Sequence, residues 1–352
     1  MNITITEVAK KANTSVATVS REMNGNYPVK EETKKRVLKA IEELNYIPNM
    51  QARELTQRKS TTIGVIVPSL TNLFFPSVVY GIESELKKHS LSIILMTTSN
   101  DKDEEKKCVN NLLARNVAGI IVIDPTTSNI KNKFYNELSK KIPFVFINGY
   151  TTVPNISSVS NDESTGCKLA LRYLLDKNHR NILFIRGKDS YSYDVKEEVY
   201  KKLMMDIGNF HHENIINIGE GNSLKTVDNT TSMLIELLPK LNVTSIFACN
   251  DLMGVGAINA CKKLNIEIPK ALSIIGYDNI QLSSLIEPKL TTMDQNMHLL
   301  GTNAASLIKD KIDCNNEYSK RIILNNTLVE RDTVKKYNFK VRSEEHTSEL
   351  QS

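Results

Sequence analysis

The sequence predicts two kinds of fold in one chain: a small all-α headpiece, and an α/β core of two doubly wound parallel-sheet lobes. Three observations predict this division. Residues 1–47 contain three short helical patterns separated by turn residues. From residue 61 onward, short apolar runs alternate with amphipathic stretches, which is typical of βαβ units. Positive charge is concentrated in residues 1–60, which hold eleven Lys and Arg against seven Glu.

Composition excludes several classes of protein. The chain has 352 residues, 40% of them apolar and 24% charged, which is ordinary for a globular protein of two or three domains. It has no run of about 18 apolar residues, the length that a membrane-spanning helix needs. Its first residues are polar and lack the apolar segment of a secretory signal, so we expect a cytoplasmic protein without a membrane partner. Five scattered cysteines without a CxxC spacing predict no disulfide and no zinc knuckle. We also expect no other metal site and no cofactor.

The first two helices of the headpiece have local signals for where they begin. Thr4 and Glu7 have the spacing of a capping box, so the first helix is expected to start after Thr4. Asn13 tolerates the left-handed backbone that a sharp turn requires. Ser15 is a candidate N-cap for a second helix over residues 16–23.

A third helix is expected over residues 31–44, after a break at residues 24–28, because its apolar residues recur at helical spacing. Helix, tight turn, helix, loop and helix is the order of a helix-turn-helix unit, whose second helix enters the major groove of DNA. The excess of four positive charges in residues 1–60 agrees with a polyanionic partner. The alternative is a small three-helix bundle that contacts other proteins.

The core contains seven apolar runs separated by amphipathic stretches. Continuous apolar strands with intervening helices indicate parallel sheets that are buried on both faces. So many units favour two similar lobes over one small sheet, with a ligand in the crevice at the carboxyl ends of the strands. The apolar runs cover residues 63–67, 91–96, 118–123, 144–147, 182–185, 245–248 and 272–275.

Several longer stretches resemble the LacI/GalR family of transcriptional regulators. They are residues 4–12, 15–21 and 36–49 in the headpiece, and residues 245–253, 272–279, 288–295 and 328–332 in the core. The resemblance implies a homodimer that binds pseudo-palindromic, double-stranded operator DNA, and a periplasmic-binding-protein-like core. It also implies a headpiece at 1–47, a hinge helix with linker at 48–60 and an effector-binding and dimerisation core at 61–332.

The resemblance implies three sets of DNA contacts. Val16, Ala17 and Arg21 are expected to contact bases, because arginine donates to guanine and small apolar groups suit a thymine methyl. The expected phosphate contacts are Ser15, Thr18, Ser20 and Asn24. In the hinge, Leu55 is expected to insert into the minor groove, and Ala52 to pack on the partner's hinge.

The resemblance further implies that the two lobes exchange strands and hold an effector between them. The first lobe is expected to comprise residues 61–160 and 292–318, and the second residues 161–286 and 320–332. The implied effector contacts are Asn72, Phe74, Phe75, Asp124, Lys196, Asn250, Asp278 and Met297. Carboxylates suit the hydroxyls of a sugar, and aromatic rings suit its apolar face.

Lys196 is the largest departure from the family, which usually has an arginine in this part of the effector site. Lysine is a point charge and lacks the planar fork of arginine. We therefore expect a small polar, sugar-like effector, a phosphorylated or acidic sugar included, rather than a purine.

Taken together, these features predict a DNA-binding transcription regulator that represses a carbohydrate-utilisation operon. An enzyme is not expected, because no catalytic constellation occurs. Two alternatives stay open. One is a catabolite-control type regulator whose co-effector is a phosphorylated carrier protein. The other is a sugar-binding protein that does not bind DNA.

Residues 342–352 fit none of these patterns. They are polar, lack periodicity and lie beyond the end of the resemblance. Their sequence looks like the in-frame translation of a sequencing-library adapter. We expect this segment to be an assembly artefact that contributes to neither fold nor function.

Overall fold

The computed structural model of the chain describes residues 3–24, 27–47, 60–149, 153–315 and 318–338. The chain divides into two compact units, residues 1–60 and residues 61–352, and each is described by itself. The predicted hinge contacts Ala52 and Leu55 and the segment 342–352 lie outside the described residues. Within the described ranges, every helix is too short or too polar to cross a bilayer.

The headpiece consists of α1 (Ile5–Lys11), α2 (Val16–Asn24) and α3 (Glu31–Glu43). The predicted capping box is present: Glu7 N donates to Thr4 Oγ1 at 3.4 Å, and Thr4 N donates to Glu7 Oε2 at 2.7 Å. Asn13 adopts a left-handed φ of 50° in the turn between α1 and α2. Ser15 Oγ accepts from Thr18 N at 3.2 Å and so caps the start of α2.

A small apolar core holds these helices together. Val8, Val19 and Val37 are fully buried, one from each helix. Each such burial contributes roughly 1.5–3 kcal/mol, which stabilises helices that are too short to persist alone. The predicted helix-turn-helix headpiece is confirmed.

Strands and helices alternate along most of the core. The strands are β1 (Thr62–Val67), β2 (Ser92–Thr97), β3 (Gly119–Ile123), β4 (Phe144–Ile147), β5 (Ser157–Asn161), β6 (Ile182–Arg186), β7 (Ile215–Asn217), β8 (Ser245–Ala248), β9 (Ser273–Ile275), β10 (Thr292–Asp294), β11 (Arg321–Leu324) and β12 (Thr327–Val329). The helices are α4 (Phe74–Lys87), α5 (Lys102–Ala114), α6 (Thr127–Lys131), α7 (Phe134–Leu138), α8 (Glu163–Asp176), α9 (Tyr191–Asp206), α10 (Lys225–Leu237), α11 (Asp251–Lys263), α12 (Leu282–Leu285) and α13 (Met297–Asp313).

Two parallel sheets form the two predicted lobes. The first has the strand order β11-β5-β4-β3-β1-β2, and the second has the order β7-β6-β8-β9. The central strands β3, β4 and β8 are buried along their whole length, because helices cover both faces of each sheet. The strand order reverses between β1 and β3 and again between β6 and β8, and loops at such switch points form ligand sites.

The chain crosses between the lobes at places that differ from the prediction. β10 pairs antiparallel with β12, and a bridge joins Asp278 to Asp294, so β10 lies with the second lobe. β11 pairs in parallel with β5 and extends the first sheet. Ile322 and Leu324 explain this placement, because they pack against the apolar core of the first lobe. The predicted lobe assignment was therefore wrong for residues 292–294 and 321–324.

Two glycines permit the close packing of α4 against α13 in the first lobe. A Cβ added to Gly81 would lie 2.4 Å from His298 O, and one added to Gly301 would lie 2.2 Å from Val78 O. Carbon and oxygen atoms do not approach so closely, so these backbones can meet only without side chains. This contact fixes the position of α13 against α4.

Candidate functional sites

The three residues predicted to contact bases lie on the exposed face of α2. Val16 is 40% exposed although it is apolar, and Ala17 and Arg21 are exposed beside it. Their positions in the helix place them on one side of it. The Arg21 guanidinium lies 5.6 Å from the centroid of the Tyr27 ring. Among the described headpiece residues, Arg21 makes no ion pair with a carboxylate, whereas its neighbour Glu22 pairs with Lys34.

The hydroxyl residues predicted to contact phosphates stand at the start of the same helix. The Ser15 and Thr18 hydroxyls are hydrogen bonded to each other at 2.9 Å. Ser20 is half-buried and lies after Thr18 on α2. The side chain of Asn24 lies outside the described residues. These hydroxyls and the positive end of the α2 dipole together provide the donors that an anion needs.

A cleft between the lobes lies beside both switch points and encloses about 380 Å³, solvent at its mouth included. Seven of the eight predicted effector residues line it: Asn72, Phe74, Phe75, Asp124, Lys196, Asn250 and Asp278. Met297 does not line the cleft. It begins α13 and packs against the apolar core of the first lobe.

The first lobe contributes an aromatic wall. Asn72 Oδ1 accepts from Phe74 N at 3.1 Å and so helps to begin α4. The rings of Phe74 and Phe75 meet edge to face, with 5.4 Å between their centroids. Both are almost completely buried, so they present a fixed apolar surface to the cleft.

Two carboxyl groups face the cleft from opposite lobes. Asp124 directly follows β3, and burial, together with the charges of Glu163 and Glu105, raises its pKa to about 7. Burial also raises the pKa of Asp278 far above its usual value, and the charge of Asp251 adds to this effect. Gln295 Nε2 donates to Asp278 Oδ1. Both carboxyls are poorly solvated, so they would gain from hydrogen bonds donated by a ligand.

Asp278 also has a strained backbone. Its φ of 127° lies in a region that residues with a side chain rarely adopt. Its N–H donates to Met293 O at 2.9 Å, which ties it to β10. Strain of this kind persists where the surroundings over-determine the conformation, and such residues cluster at ligand sites.

Lys196 is almost completely buried and has several partners. Its Nζ lies 3.2 Å from Glu163 Oε2 and 3.6 Å from the centroid of the Tyr277 ring. It also donates to Ser192 Oγ at 2.9 Å and to Cys249 O at 3.2 Å. Burial alone would lower the pKa of Lys196, but the negative charge of Glu163 outweighs it and the pKa is raised. Lys196 therefore keeps its positive charge, and the ion pair with Glu163 compensates that charge within the protein.

Asn250 has an internal role besides lining the cleft. Its Oδ1 accepts from Met253 N at 2.9 Å, which caps the start of α11. Its Nδ2 donates to Gly221 O at 2.7 Å and to Tyr193 Oη at 3.1 Å. Asn250 therefore fixes the second-lobe wall of the cleft.

Several cleft residues were not predicted. They are Asn148, Ser190, Ser192, Tyr193, Asn222, Cys249 and Gln295. Asn148 directly follows β4, so the strand-end argument that supports Asp124 would also have found it. Ser192 and Tyr193 precede Lys196 by four and three residues on α9, and such helical neighbours share a face.

The lobes also touch at the mouth of the cleft. Leu224 N donates to Thr71 Oγ1 at 3.4 Å, and Asn222 Nδ2 donates to Asn100 Oδ1 at 3.4 Å. Deeper inside, Leu252 of the second lobe packs into the apolar core of the first. The two lobes that form the walls of the cleft therefore also contact each other directly.

Comparison with known families covers both units of the chain. The family described as "Bacterial regulatory proteins, lacI family" matches residues 4–49. The family described as "Periplasmic binding proteins and sugar binding domain of LacI family" matches residues 60–332.

Individual relatives match along nearly the whole chain. A catabolite control protein A from Priestia megaterium is 34% identical over 316 residues, which cover 88% of this chain and 92% of that protein. The ribose operon repressor of Halalkalibacterium halodurans is 32% identical and covers 94% of this chain and 97% of its own.

Solved structures agree with this relationship. The lac repressor dimer bound to operator and the anti-inducer ONPF has a TM-score of 0.83 and 26% identity, covering 95% of this chain and all of its own. A LacI family regulator from Enterococcus faecium with bound ribose has a TM-score of 0.68 and 28% identity, covering 79% of this chain and all of its own. The helix-turn-helix headpiece, the two-lobed core and these matches show that the chain belongs to the LacI family, and is a DNA-binding transcription regulator rather than an enzyme.

Proposed function

We propose that this protein is a homodimeric repressor that binds operator DNA through α2 and is controlled by a neutral sugar-like effector in the cleft. One observation carries the choice of a neutral effector: Lys196 Nζ lies 3.2 Å from Glu163 Oε2, so the cation in the cleft wall already has a carboxylate partner. Among the residues that line the described cleft, the other Asp, Glu, Lys or Arg side chains are those of Asp124 and Asp278.

This pairing disfavours the phosphorylated or acidic sugar that Lys196 suggested in the sequence. A phosphate group would bring negative charge into a poorly solvated cleft whose cation, Lys196, already has a carboxylate partner, so its burial would be uncompensated. The hydroxyls of a neutral sugar can donate to both carboxyls, while its apolar face packs on Phe74 or Phe75. The proposal of a neutral effector thus departs from the expectation drawn from Lys196 alone, whose partner Glu163 lies 33 residues away in sequence.

The relatives support a carbohydrate effector. One is named for a ribose operon, and one solved regulator holds ribose. We take Asn72, Phe74, Phe75, Asp124 and Asp278 as the contacts of the sugar. Lys196 and Asn250 hold the wall around it, because their polar atoms already have partners within the protein.

The DNA half of the proposal rests on the headpiece. Val16, Ala17 and Arg21 are taken as base contacts, and Ser15, Thr18, Ser20 and Asn24 as phosphate contacts. The lac repressor, which is similar over 95% of this chain, was solved as a dimer on its operator, and this supports a dimer here. Residues 48–60 would form the hinge, with Leu55 inserted in the minor groove and Ala52 at the partner's hinge. Such a regulator works in the cytoplasm, where the DNA lies.

Effector and operator binding would be coupled through the lobes. Phe74 and Asp124 approach a ligand from the first lobe, and Asp278 approaches it from the second. A ligand held by both lobes favours the arrangement in which they are closed. It changes operator affinity only by the difference between its affinities for the two arrangements.

A direct test uses the full chain and two titrations. An operator is selected from a pool of random duplexes, and its affinity is measured by fluorescence anisotropy. Neutral saccharides and their phosphate esters are then added in matched pairs. We expect one neutral saccharide to change operator affinity by about tenfold or more, which is about 1.4 kcal/mol of coupling. A response to a phosphate ester, but not to its neutral parent, would contradict the proposal.

A second candidate function is favoured by the match to catabolite control protein A, at 34% identity. In this alternative the co-effector is a phosphorylated carrier protein rather than a sugar. The same anisotropy assay separates the two functions. Operator binding that responds to the phosphorylated carrier protein, and to no free saccharide, would establish the alternative.

A further inference from the structure

An exposed aromatic side chain lies beside the predicted DNA-binding helix. Tyr27 is 67% exposed and belongs to the loop that joins α2 to α3. The other tyrosine of the headpiece, Tyr46, packs against the apolar core that Val8, Val19 and Val37 help to form. Burial therefore explains the position of Tyr46 but not that of Tyr27.

The ring of Tyr27 lies against the guanidinium of Arg21. The Arg21 Cζ atom is 5.6 Å from the centroid of the ring. This separation is within the distance of about 6 Å at which the face of an aromatic ring attracts a cation. Arg21 is exposed in the last turn of α2, so this contact gives its long side chain a defined neighbour.

In the part of the headpiece that the structure describes, no carboxylate competes with Tyr27 for Arg21. Glu22 follows Arg21 in sequence, but Glu22 Oε1 lies 3.8 Å from Lys34 Nζ on α3. An ion pair would engage the N–H donors of the guanidinium, whereas stacking on a ring leaves them free. The contact with Tyr27 therefore positions Arg21 without using the groups that bind a base.

The sequence around Tyr27 restricts the positions that its ring can take. Pro28 follows directly, and a residue before proline is largely confined to extended backbone. The loop between α2 and α3 spans only residues 25–30, so the ring is tethered close to the end of α2. Both features limit the movement of the ring and, through the contact with it, that of the Arg21 guanidinium.

Ring stacking and base recognition use different parts of a guanidinium group. An arginine binds guanine through two N–H groups at the edge of its plane, which donate to O6 and N7. An aromatic ring contacts the face of the same plane. Tyr27 can therefore stay in contact with Arg21 while Arg21 binds a base. A side chain that is already held in one orientation loses less conformational freedom on binding.

We propose that Tyr27 is a positioning residue for base recognition, and that its ring holds the Arg21 guanidinium in the orientation that discriminates between bases. This inference rests on the proposed base contact of Arg21. It assigns the role to the face of the ring and not to the hydroxyl group. Loss of the ring should then affect the one base position in each half-site that Arg21 contacts, and leave the phosphate contacts unchanged.

The test measures base discrimination by the full chain. An operator is selected from random duplexes, each base pair of its half-sites is substituted in turn, and fluorescence anisotropy gives the affinity for every duplex. Arg21→Ala first identifies the position that Arg21 contacts, because substitution of that base pair no longer matters to this variant. We expect Tyr27→Ala to lower discrimination at the same position by about two- to fivefold, and to leave the other positions unchanged.

Two further variants separate the ring face from the hydroxyl group and from apolar bulk. Tyr27→Phe keeps the face and should retain full discrimination, whereas Tyr27→Leu keeps apolar bulk and should behave like Tyr27→Ala. The matched control is Tyr80→Ala, which removes a tyrosine of 65% exposure from α4 and should leave discrimination unchanged. Because Tyr27 is exposed, all of its variants should keep the melting temperature of the unsubstituted chain.

Several outcomes would overturn the inference. If Tyr27→Phe discriminates as poorly as Tyr27→Ala, the hydroxyl group and not the ring is what matters. If Tyr27→Ala weakens all duplexes equally, Tyr27 has a structural role or a phosphate contact. In both cases the proposed base contact of Arg21 stands. If Arg21→Ala changes discrimination at no position, the proposed base contact and the inference fail together.

Discussion

The carboxyl group of Asp124 links burial at a strand end to the pH dependence of stability. Its pKa in the folded protein is raised to about 7 from a usual value of 3.8, chiefly by burial. Between these two pH values the folded state binds more protons than the unfolded state. The contribution of Asp124 to the free energy of unfolding therefore falls as pH rises from about 4 to about 7, and is constant above that.

We predict that Asp124→Asn removes part of this pH dependence. The melting temperature of the variant minus that of the unsubstituted protein should be larger at pH 7.5 than at pH 5. Thermal melts of the ligand-free chain at both pH values measure the difference. The control is Asp101→Asn, because the exposed Asp101 carboxylate caps α5 and its pKa is lowered, so it titrates below this range. Equal shifts for both variants would contradict the assignment.

The ion pair of Lys196 and Glu163 should behave as one unit. Removing only the cation leaves a buried carboxylate without compensation, which costs about 3–5 kcal/mol. We therefore predict that Lys196→Met strongly lowers the free energy of unfolding, and that adding Glu163→Gln recovers much of the loss. Urea denaturation of the two single variants and the double variant gives the coupling. Additive losses would show that the two side chains act independently.

At the scale of elements, α2 should carry the sequence specificity of DNA binding. Arg21→Ala should cost about 1–3 kcal/mol in operator affinity and relax base preference at one position in each half-site. Lys39→Ala is the matched control, since it removes the same charge from an exposed position on α3. It should weaken operator and random duplexes alike, as measured by anisotropy at one salt concentration. Identical effects of the two variants would reduce the role of Arg21 to charge.

The contact of α4 with α13 gives a second prediction at this scale. Gly301→Ala places a methyl group against Val78 O, so the helices must separate, which costs about 1–3 kcal/mol. Ser306→Ala, at an exposed site on the same helix, is the control and should leave the melting temperature nearly unchanged. Melting curves of both variants measure the effect. An unchanged melting temperature for Gly301→Ala would show that the helices have room to adjust.

At the scale of the whole molecule, effector response and DNA binding should be separable. Asp278→Ala removes a cleft carboxyl from the core and leaves the headpiece sequence intact. We predict that this variant binds the operator nearly as well as the unsubstituted chain but loses its response to the saccharide. The more conservative Asp278→Asn keeps the volume of the side chain and should give the same result. A variant that still responded normally would remove Asp278 from the effector site.

The headpiece and the order of strands and helices were predictable because their signals are local. A capping box, a left-handed asparagine and helical spacing act over a few residues, and α1 to α3 follow them closely. The apolar runs predicted most strands of the two sheets within one or two residues. Short strands without a strong apolar run, such as β5 and β7, were missed.

The cleft was partly predictable for a related reason. Parallel strands of a doubly wound sheet end at the same edge, so residues that follow them converge whatever their distance in sequence. The family resemblance implied all of the predicted cleft residues, and their position after a predicted strand independently supports several of them, such as Asn72, Asn250 and Asp278. Met297 is not among the residues that line the described cleft, and nothing in the sequence separates a helix-starting residue that faces the cleft from one that packs inward.

The sequence by itself determined the family, the two kinds of fold and half of the side chains that line the cleft, since all of these depend on local pattern or on motif. Only the tertiary structure decided the charge of the cleft and the path of the chain between the lobes. Glu163, Lys196 and Tyr277 are far apart in sequence and meet only after folding, so the ion pair of Lys196 with Glu163 and its contact with the Tyr277 ring have no local signal. Likewise β11 joins the first sheet because Ile322 and Leu324 find an apolar surface there, and that surface exists only once the lobe has formed.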